Sequence, residues 1–418
     1  MDKQDGARAG ALRLLAELRE GASLGENPAT LERLAPADRA RAQRLALAAL
    51  RHRGRADALL KPHLSRRPRP DIADILRLAV VEMLELGGAP HGVVNAAVAS
   101  ARRLGPKGRA ASGMVNAVLR KAANARDAWE KLPPQSLPDW LRQPVKAAWG
   151  EDATRAIEAA HQAGAPLDLT AKPGSEAPGE ALPTGSFRLH DAGQISALPG
   201  YAEGDWWVQD AAAAMAARLL DPQPGERILD LCAAPGGKTM QLASAGAEVT
   251  AVDISAPRMA RLRENLERCG LQAQVVVADA LEYTPEAAPD AILLDAPCSA
   301  TGTIRRHPEL PLIRDGAQLE SLIALQAALI DRASALLRAG GRLVFATCSL
   351  LPQEGEDQLA AALLRHPDLQ VEPPRLDGLE PAWITPEGGL RLRPDYWPER
   401  GGMDGFFIAR LRKLDRAG

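Results

Sequence analysis

The sequence predicts a chain of two unlike parts, an all-helical N-terminal segment followed by an α/β segment built on a parallel sheet. Three observations carry this. Ile72, Ile75, Leu76, Ala79, Val80, Met83 and Leu84 recur at helical spacing within residues 1–125. From about residue 205, short β-rich runs alternate with helical stretches, the pattern of strands joined by helical crossovers. Charge divides the same way: residues 1–130 carry 23 Lys and Arg against 14 Asp and Glu, and the remainder 28 against 39. A basic module joined to an acidic one points to nucleic acid as partner of the first, the alternative being a solvated basic surface.

Taken in order, the clearest helix starts at Asp71, an N-cap type after Pro70, and stops at Gly87 and Gly88. Two more helices are expected near 93–104 and 111–123. Arg51, Arg53, Arg55, Lys61, Arg66, Arg67 and Arg69 crowd the segment before residue 71, and Arg102, Arg103, Lys107, Arg109, Arg120 and Lys121 form a second basic cluster. The stretch LPPQSLPDW (132–140) marks a boundary, and the Pro- and Gly-rich residues 165–200 read as a connector or small subdomain. Strands are expected at 227–231, 248–253, 274–279, 290–295, 342–347 and 405–411, and helices near 237–245, 255–269, 316–339 and 353–365.

Composition excludes several classes. At 46% hydrophobic and 25% charged, the 418 residues are ordinary globular sequence. The longest apolar run is seven residues, 211–217, far short of the ~20 a membrane span needs. No secretory signal is read at the N-terminus. Cys232, Cys269, Cys298 and Cys348 lie 37, 29 and 50 residues apart with no CxxC pair, so neither a zinc site nor a disulfide framework is expected, and a cytoplasmic location fits. Aromatic residues are only 3%, so phosphate contacts rather than a stacking platform should hold any nucleic acid. No long apolar stripe argues for association, so a monomer is expected.

The chemistry lies in strand-end loops. ILDLCAAPGGKT (228–239) runs a strand into a small-residue turn that opens a helix, where open α/β sheets bind ligands. Its GKT fails the phosphate-loop pattern, because Cys232 stands five positions before Gly237, where that loop needs glycine; GxGxxG is absent as well. Asp253 ends the next strand, placed to accept from ribose hydroxyls, and Asp279 follows a third, near where an adenine would lie. Either could be a helix cap alone; together they fit a nucleoside without essential phosphates, such as S-adenosyl-L-methionine. LLDAPCSATG (293–302) and ATCS (346–349) each set a cysteine just past an apolar strand. Each thiol is either a small core residue or a nucleophile, and spacing does not choose between them. Cys269, at a helix end before Gly270, reads as core.

DLCAAPGGKT, DAPCSATGTIRRHPE, ATCSL and DGFFIA resemble the signature stretches of bacterial RNA cytosine-5 methyltransferases, and the whole chain resembles the RsmB/Sun (Fmu) family, which acts on 16S ribosomal RNA. HGVVNAAVASARRLG and SGMVNAVLRK resemble the NusB-like helical RNA-binding domain found in that family. The resemblance implies a multidomain fold: an all-α NusB-like domain (1–128), a linker and small RNA-binding subdomain (129–200), and an α/β Rossmann-like methyltransferase domain (201–418). It implies that Cys232, Ala233, Ala234, Pro235, Gly236, Gly237 and Lys238, with Asp253, Asp279, Asp295 and Arg258, bind S-adenosyl-L-methionine, and that no metal takes part. It assigns Cys348 as the nucleophile and Cys298 as the cysteine that assists product release; Gln209 and Asp210 match a stretch before the core. DLTAK (168–172) and GGM (401–403) depart from the family pattern.

Attack of a thiolate on carbon 6 of cytosine breaks the ring's aromaticity and makes carbon 5 nucleophilic. Asp295 is expected to assist at N3, and Lys238 to orient Asp295 or support the thiolate. The base must be unstacked to enter. The rivals are another RNA such as tRNA, a DNA cytosine-5 methyltransferase using Cys298 as nucleophile, and an RNA-binding factor with a silent methyltransferase domain.

Overall fold

The computed structural model describes residues 3–22, 24, 29–190 and 193–415. Their contacts form two compact units: Met1–Arg142 with Glu151–Gly164 and Arg306–Asp315, and Gln143–Gly150 with Ala165–Arg305 and Gly316–Gly418.

The first unit is helical, with α1 (Lys3–Arg19), α2 (Pro36–Arg51), α3 (Arg53–Leu60), α4 (Pro70–Leu84), α5 (Pro90–Arg103), α6 (Pro106–Ala122) and α7 (Arg126–Glu130). Pro36, Pro70, Pro90 and Pro106 open four of these helices, where a missing N–H costs nothing and the fixed φ suits the first turn. Asp71 is therefore not the N-cap of α4; Arg69 is, and the Asp71 carboxylate accepts from the Ile72 amide at 2.8 Å and from Arg69 at 2.6 Å. Helices α5 and α6 start earlier than the apolar pattern alone indicated, for the same reason. Leu76, Val80, Val81, Val115 and Leu119 are fully buried in the shared core. Arg55, counted among the basic residues, is buried too: its guanidinium lies 4.3 Å from the Trp129 ring centre and donates to the Trp129 carbonyl at 2.6 Å. Lys61, Arg66, Arg67 and Arg69 are exposed, as is the whole second cluster. α8 (Asp139–Ala163) is broken at Gly150, where φ is 83°.

The second unit begins with a four-stranded antiparallel sheet in the order β2 (Glu180–Ala181), β3 (Phe187–Leu189), β1 (Leu167–Ala171) and β4 (Trp206–Val208). α9 (Ala211–Leu220) carries the longest apolar run and is buried almost throughout, so the run is core sequence. Then follow β5 (Arg227–Leu231), α10 (Gly237–Ser244), β6 (Glu248–Asp253), α11 (Ala256–Arg268), β7 (Gln274–Val277), β8 (Ala291–Asp295), the short α12 (Leu310–Ile313, which groups with the first unit), α13 (Leu319–Leu336), β9 (Arg342–Thr347), α14 (Glu356–Arg365), β10 (Leu369–Glu372), β11 (Leu390–Leu392) and β12 (Phe406–Lys413). The strand order is β10-β12-β9-β8-β5-β6-β7, with β11 also paired to β12.

The expectation of a parallel sheet holds for β7, β6, β5, β8 and β9 and fails beyond them. β12 runs antiparallel to β9 and β10. A parallel neighbour needs a crossover helix, and no α-helix lies between β10 and β12. Strand order reverses between β5 and β8, so ligand-binding loops are expected at the carboxyl ends there.

Candidate active site

Four strands deliver the site. β5 ends in Cys232–Gly236, β6 in Asp253, β8 in Asp295–Cys298 and β9 in Cys348. Register aligns them: Leu231 pairs with Val252 and Leu294, and Asp295 with Ala346. The β5 loop is bent by positive φ at Cys232 (61°) and Gly236 (104°). Gly236 has a second reason to be glycine, since a Cβ there would sit 2.6 Å from Leu262.

The Asp253 carboxylate accepts from the Ala234 amide at 3.1 Å and the Ser255 amide at 2.8 Å, so it ties the β5 loop to the start of α11. Arg258 stands 3.9 Å from Asp253 and also donates to the Ala234 carbonyl. Lys238 Nζ donates to Asp295 Oδ2 at 2.7 Å and lies 5.3 Å from the Phe406 ring centre. Asp279 accepts from the Leu281 amide at 2.9 Å, a turn contact of its own loop. Gln209 and Asp210 are packed into polar networks: Gln209 donates to Gln241 at 2.6 Å, and Asp210 caps α9 through Ala212 and accepts from Arg305 at 2.5 Å.

The two cysteines of the PCS and TCS stretches come together, with Sγ atoms 3.4 Å apart and both half-buried. The hydrogen bond with Cys348, then burial, then the charges of Cys348 and Glu354 push the Cys298 thiol far up from its ordinary value. Cys232 is also driven up, by burial and by Asp253, Asp295 and Asp230, which disqualifies it as a thiolate. Cys269 is 1% exposed, in the core. Below the β5 loop, Asp230 is fully buried. Its Oδ2 accepts from the Thr239 hydroxyl at 2.6 Å, while Oδ1 has no partner among the described residues. Burial raises its pKa to about 7.

Other site-shaping residues were given no role from the sequence, although Gly302, Arg305 and Asp404 lie inside the signature stretches. Gly302 donates to the Cys348 carbonyl at 2.9 Å and accepts from Gly405 at 2.8 Å. Arg305, wholly buried, bonds Asp404 at 2.9 Å and Asp210, while Arg188 grips Asp168 with bonds of 2.6 and 2.7 Å. Both arginines also donate to carbonyls of the loop around residues 400–402. Glu354, also fully buried, accepts from Ser299 and Ser349, the residues that follow the two cysteines. These partners lie 5 to 214 residues apart in sequence, mostly too far for any local pattern to reveal.

Residues 217–412 match the family model described as 16S rRNA methyltransferase RsmB/F, and residues 6–124 match the NusB family. Ribosomal RNA small subunit methyltransferase B of Pseudomonas syringae pv. tomato is 37% identical over 98% of both chains, and that of Xanthomonas campestris pv. campestris 35% over 90% of both. The chain belongs to the RsmB/F methyltransferase family. Its RsmB/F fold is shared with the crystal structure of PH0851, at a TM-score of 0.73 and 24% identity over 98% of this chain and 99% of that one. A methyltransferase homologue from Pyrococcus horikoshii, 29% identical, superposes with a TM-score of 0.55 over 65% of this chain and 94% of its own. This RsmB/F chain is thus an enzyme of the methyltransferase class, with a NusB-family helical part and an α/β catalytic part. Among the described residues no helix is long and apolar enough to cross a membrane, and no group of three or more metal-ligating side chains occurs.

Proposed function

We propose that this RsmB/F chain methylates carbon 5 of a cytosine in 16S ribosomal RNA, with S-adenosyl-L-methionine as methyl donor and Cys348 as covalent nucleophile. The observation that carries the reading is the pair of thiols 3.4 Å apart at the ends of adjacent strands.

The residues present fit the donor. Asp230, Asp253 and Asp295 crowd one end of the sheet closely enough that Asp295 and Asp253 both raise the Asp230 pKa. Lys238 neutralises only one of them. Three carboxyl groups clustered at the strand ends suit a sulfonium cation, and Asp253 suits ribose hydroxyls. Cys232–Lys238, Asp253, Arg258, Asp279 and Asp295 would hold it. When bound, S-adenosyl-L-methionine supplies an electrophilic methyl group.

The protein's part concerns the base. Cys348, its Sγ beside that of Cys298, would add to carbon 6. Asp295, oriented by Lys238 and paired in register with Ala346 of the Cys348 strand, would assist at N3 through a hydrogen bond. Removal of the carbon 5 proton and loss of the Cys348 thiolate then restore the aromatic ring, with Cys298 beside the adduct to assist release. The exposed basic clusters of the NusB-family part would hold RNA phosphates.

The test uses two variants. Cys348→Ala should abolish both methylation and any covalent RNA adduct. Cys298→Ala should transfer the methyl group and then stall as a denaturant-resistant RNA–protein band that depends on S-adenosyl-L-methionine. An adduct in Cys348→Ala and none in Cys298→Ala would reverse the roles.

A further inference from the structure

Glu354 lies just before α14, six residues past Cys348, in a loop whose sequence, LLPQEGE, shows no catalytic pattern. It is fully buried. Four donors converge on its two carboxylate oxygens. Oε1 accepts from the Ser299 amide at 2.9 Å and from Gln326 Nε2 at 3.0 Å; Oε2 accepts from the Ser349 hydroxyl at 2.6 Å and from the Ser299 hydroxyl. The Thr347 hydroxyl donates to its carbonyl at 2.7 Å. Both seryl protons point at Glu354, so the 3.2 Å contact between the two seryl oxygens needs no proton of its own. Thr301, 3.2 and 3.3 Å from those oxygens and accepting from the Leu350 amide at 2.9 Å, closes the network.

Ser299 directly follows Cys298, and Ser349 directly follows Cys348. One carboxylate therefore grips the next residue of both cysteine loops. Thr301, itself on the Cys298 loop, also contacts both seryl oxygens. Burying a carboxylate is costly unless its lone pairs are used, and here three of the four donors come from these loops and the fourth from Gln326 of α13.

We propose that Glu354 is the positioning residue that holds Cys298 and Cys348 in register. It touches neither substrate nor cofactor; it acts through Ser299 and Ser349, and its negative charge also helps to keep the proton on Cys298. The proposal rests on the reading of the cysteines as the reacting pair, yet its geometry can be read without any methyl transfer.

The experiment has two arms on the full chain. In the first, a diazene-dicarboxamide oxidant takes one hydrogen from each thiol, is itself reduced to the hydrazine, and leaves a Cys298–Cys348 disulfide, mapped by peptide mass spectrometry. In the second, methyl transfer is followed with varied S-adenosyl-L-methionine. Glu354→Gln keeps the shape but aims an amide donor at existing donors. It should slow disulfide formation about tenfold or more and lower kcat about as much, with the KM for S-adenosyl-L-methionine unchanged, because the Asp253 loop is untouched. Ser349→Ala, which removes one of the four donors, should shift both readouts in the same direction by less, and it decides the matter if Glu354→Gln does not fold. Wild-type rates of oxidation and turnover in folded variants would overturn the proposal, as would a raised KM with unchanged kcat. A wild-type chain that oxidises readily, slows in Glu354→Gln and transfers no methyl group would uphold the positioning role and overturn the proposed reaction.

Discussion

Asp230 is a strongly perturbed carboxyl at the residue scale. The folded chain holds its carboxyl at about 7 against an ordinary 3.8, and desolvation is the dominant cause. The native state therefore binds more protons than the unfolded chain between those values. The stability Asp230 contributes is fully present below pH ~4 and is lost as pH rises through ~7. Asp230→Asn keeps an acceptor for Thr239 and removes the titration. Its stability relative to wild type should rise by about 1–4 kcal/mol from pH 4 to pH 8, read from denaturant midpoints at both pH values; a flat difference would refute the assignment. Ala300, two residues past Cys298, adopts φ 57° and ψ 21°, a left-handed conformation that a Cβ disfavours. Ala300→Gly should stabilise the fold by about 1 kcal/mol, measured as a shift in Tm.

Elements set what the residues can do, and at this scale two contacts are decisive. Gly302 sits where the PCS loop passes under the Cys348 carbonyl, and a Cβ there would stand 2.0 Å from the Gly405 carbonyl oxygen. Gly302→Ala must push β12 away from the cysteine loops, costing at least about 2 kcal/mol and most of the activity. Asp253→Ala frees the Ala234 and Ser255 amides that shape the β5 loop. Calorimetry should show S-adenosyl-L-methionine binding weakened by about 1–3 kcal/mol. The β5–α10 turn, the strand-end aspartates and both cysteines were legible because their residue types alternate with apolar strands at short range. Gly302, Glu354 and Arg305 were not, because each earns its role from a partner on another segment. α9 was hidden for a different reason: a run of six alanines and Met215 has no apolar–polar periodicity to read, since the helix is buried at most of its positions.

For the whole molecule, the basic residues at 61, 66, 67, 69 and 102–121 remain exposed after folding, while Arg51 and Arg53 are half-buried and Arg55 is withdrawn into packing with Trp129. Affinity for a 16S ribosomal RNA fragment should fall linearly in log–log terms with salt, by roughly 0.7–0.9 per phosphate contact. Reversing Arg66, Arg67 and Arg69 to Glu should flatten that slope while leaving S-adenosyl-L-methionine affinity as it was; an unchanged slope would remove this cluster from the RNA surface. The antiparallel intrusion of β12 also has a consequence for how the enzyme is made. β12 covers the full length of β9, the strand that presents Cys348, yet 58 residues separate Thr347 from Phe406. At ~5–20 residues per second, a ribosome leaves that edge of β9 unpaired for roughly 3–12 s. The nascent catalytic sheet is a template for foreign strands during that interval, so slow codons between 348 and 405 should favour aggregation over assembly.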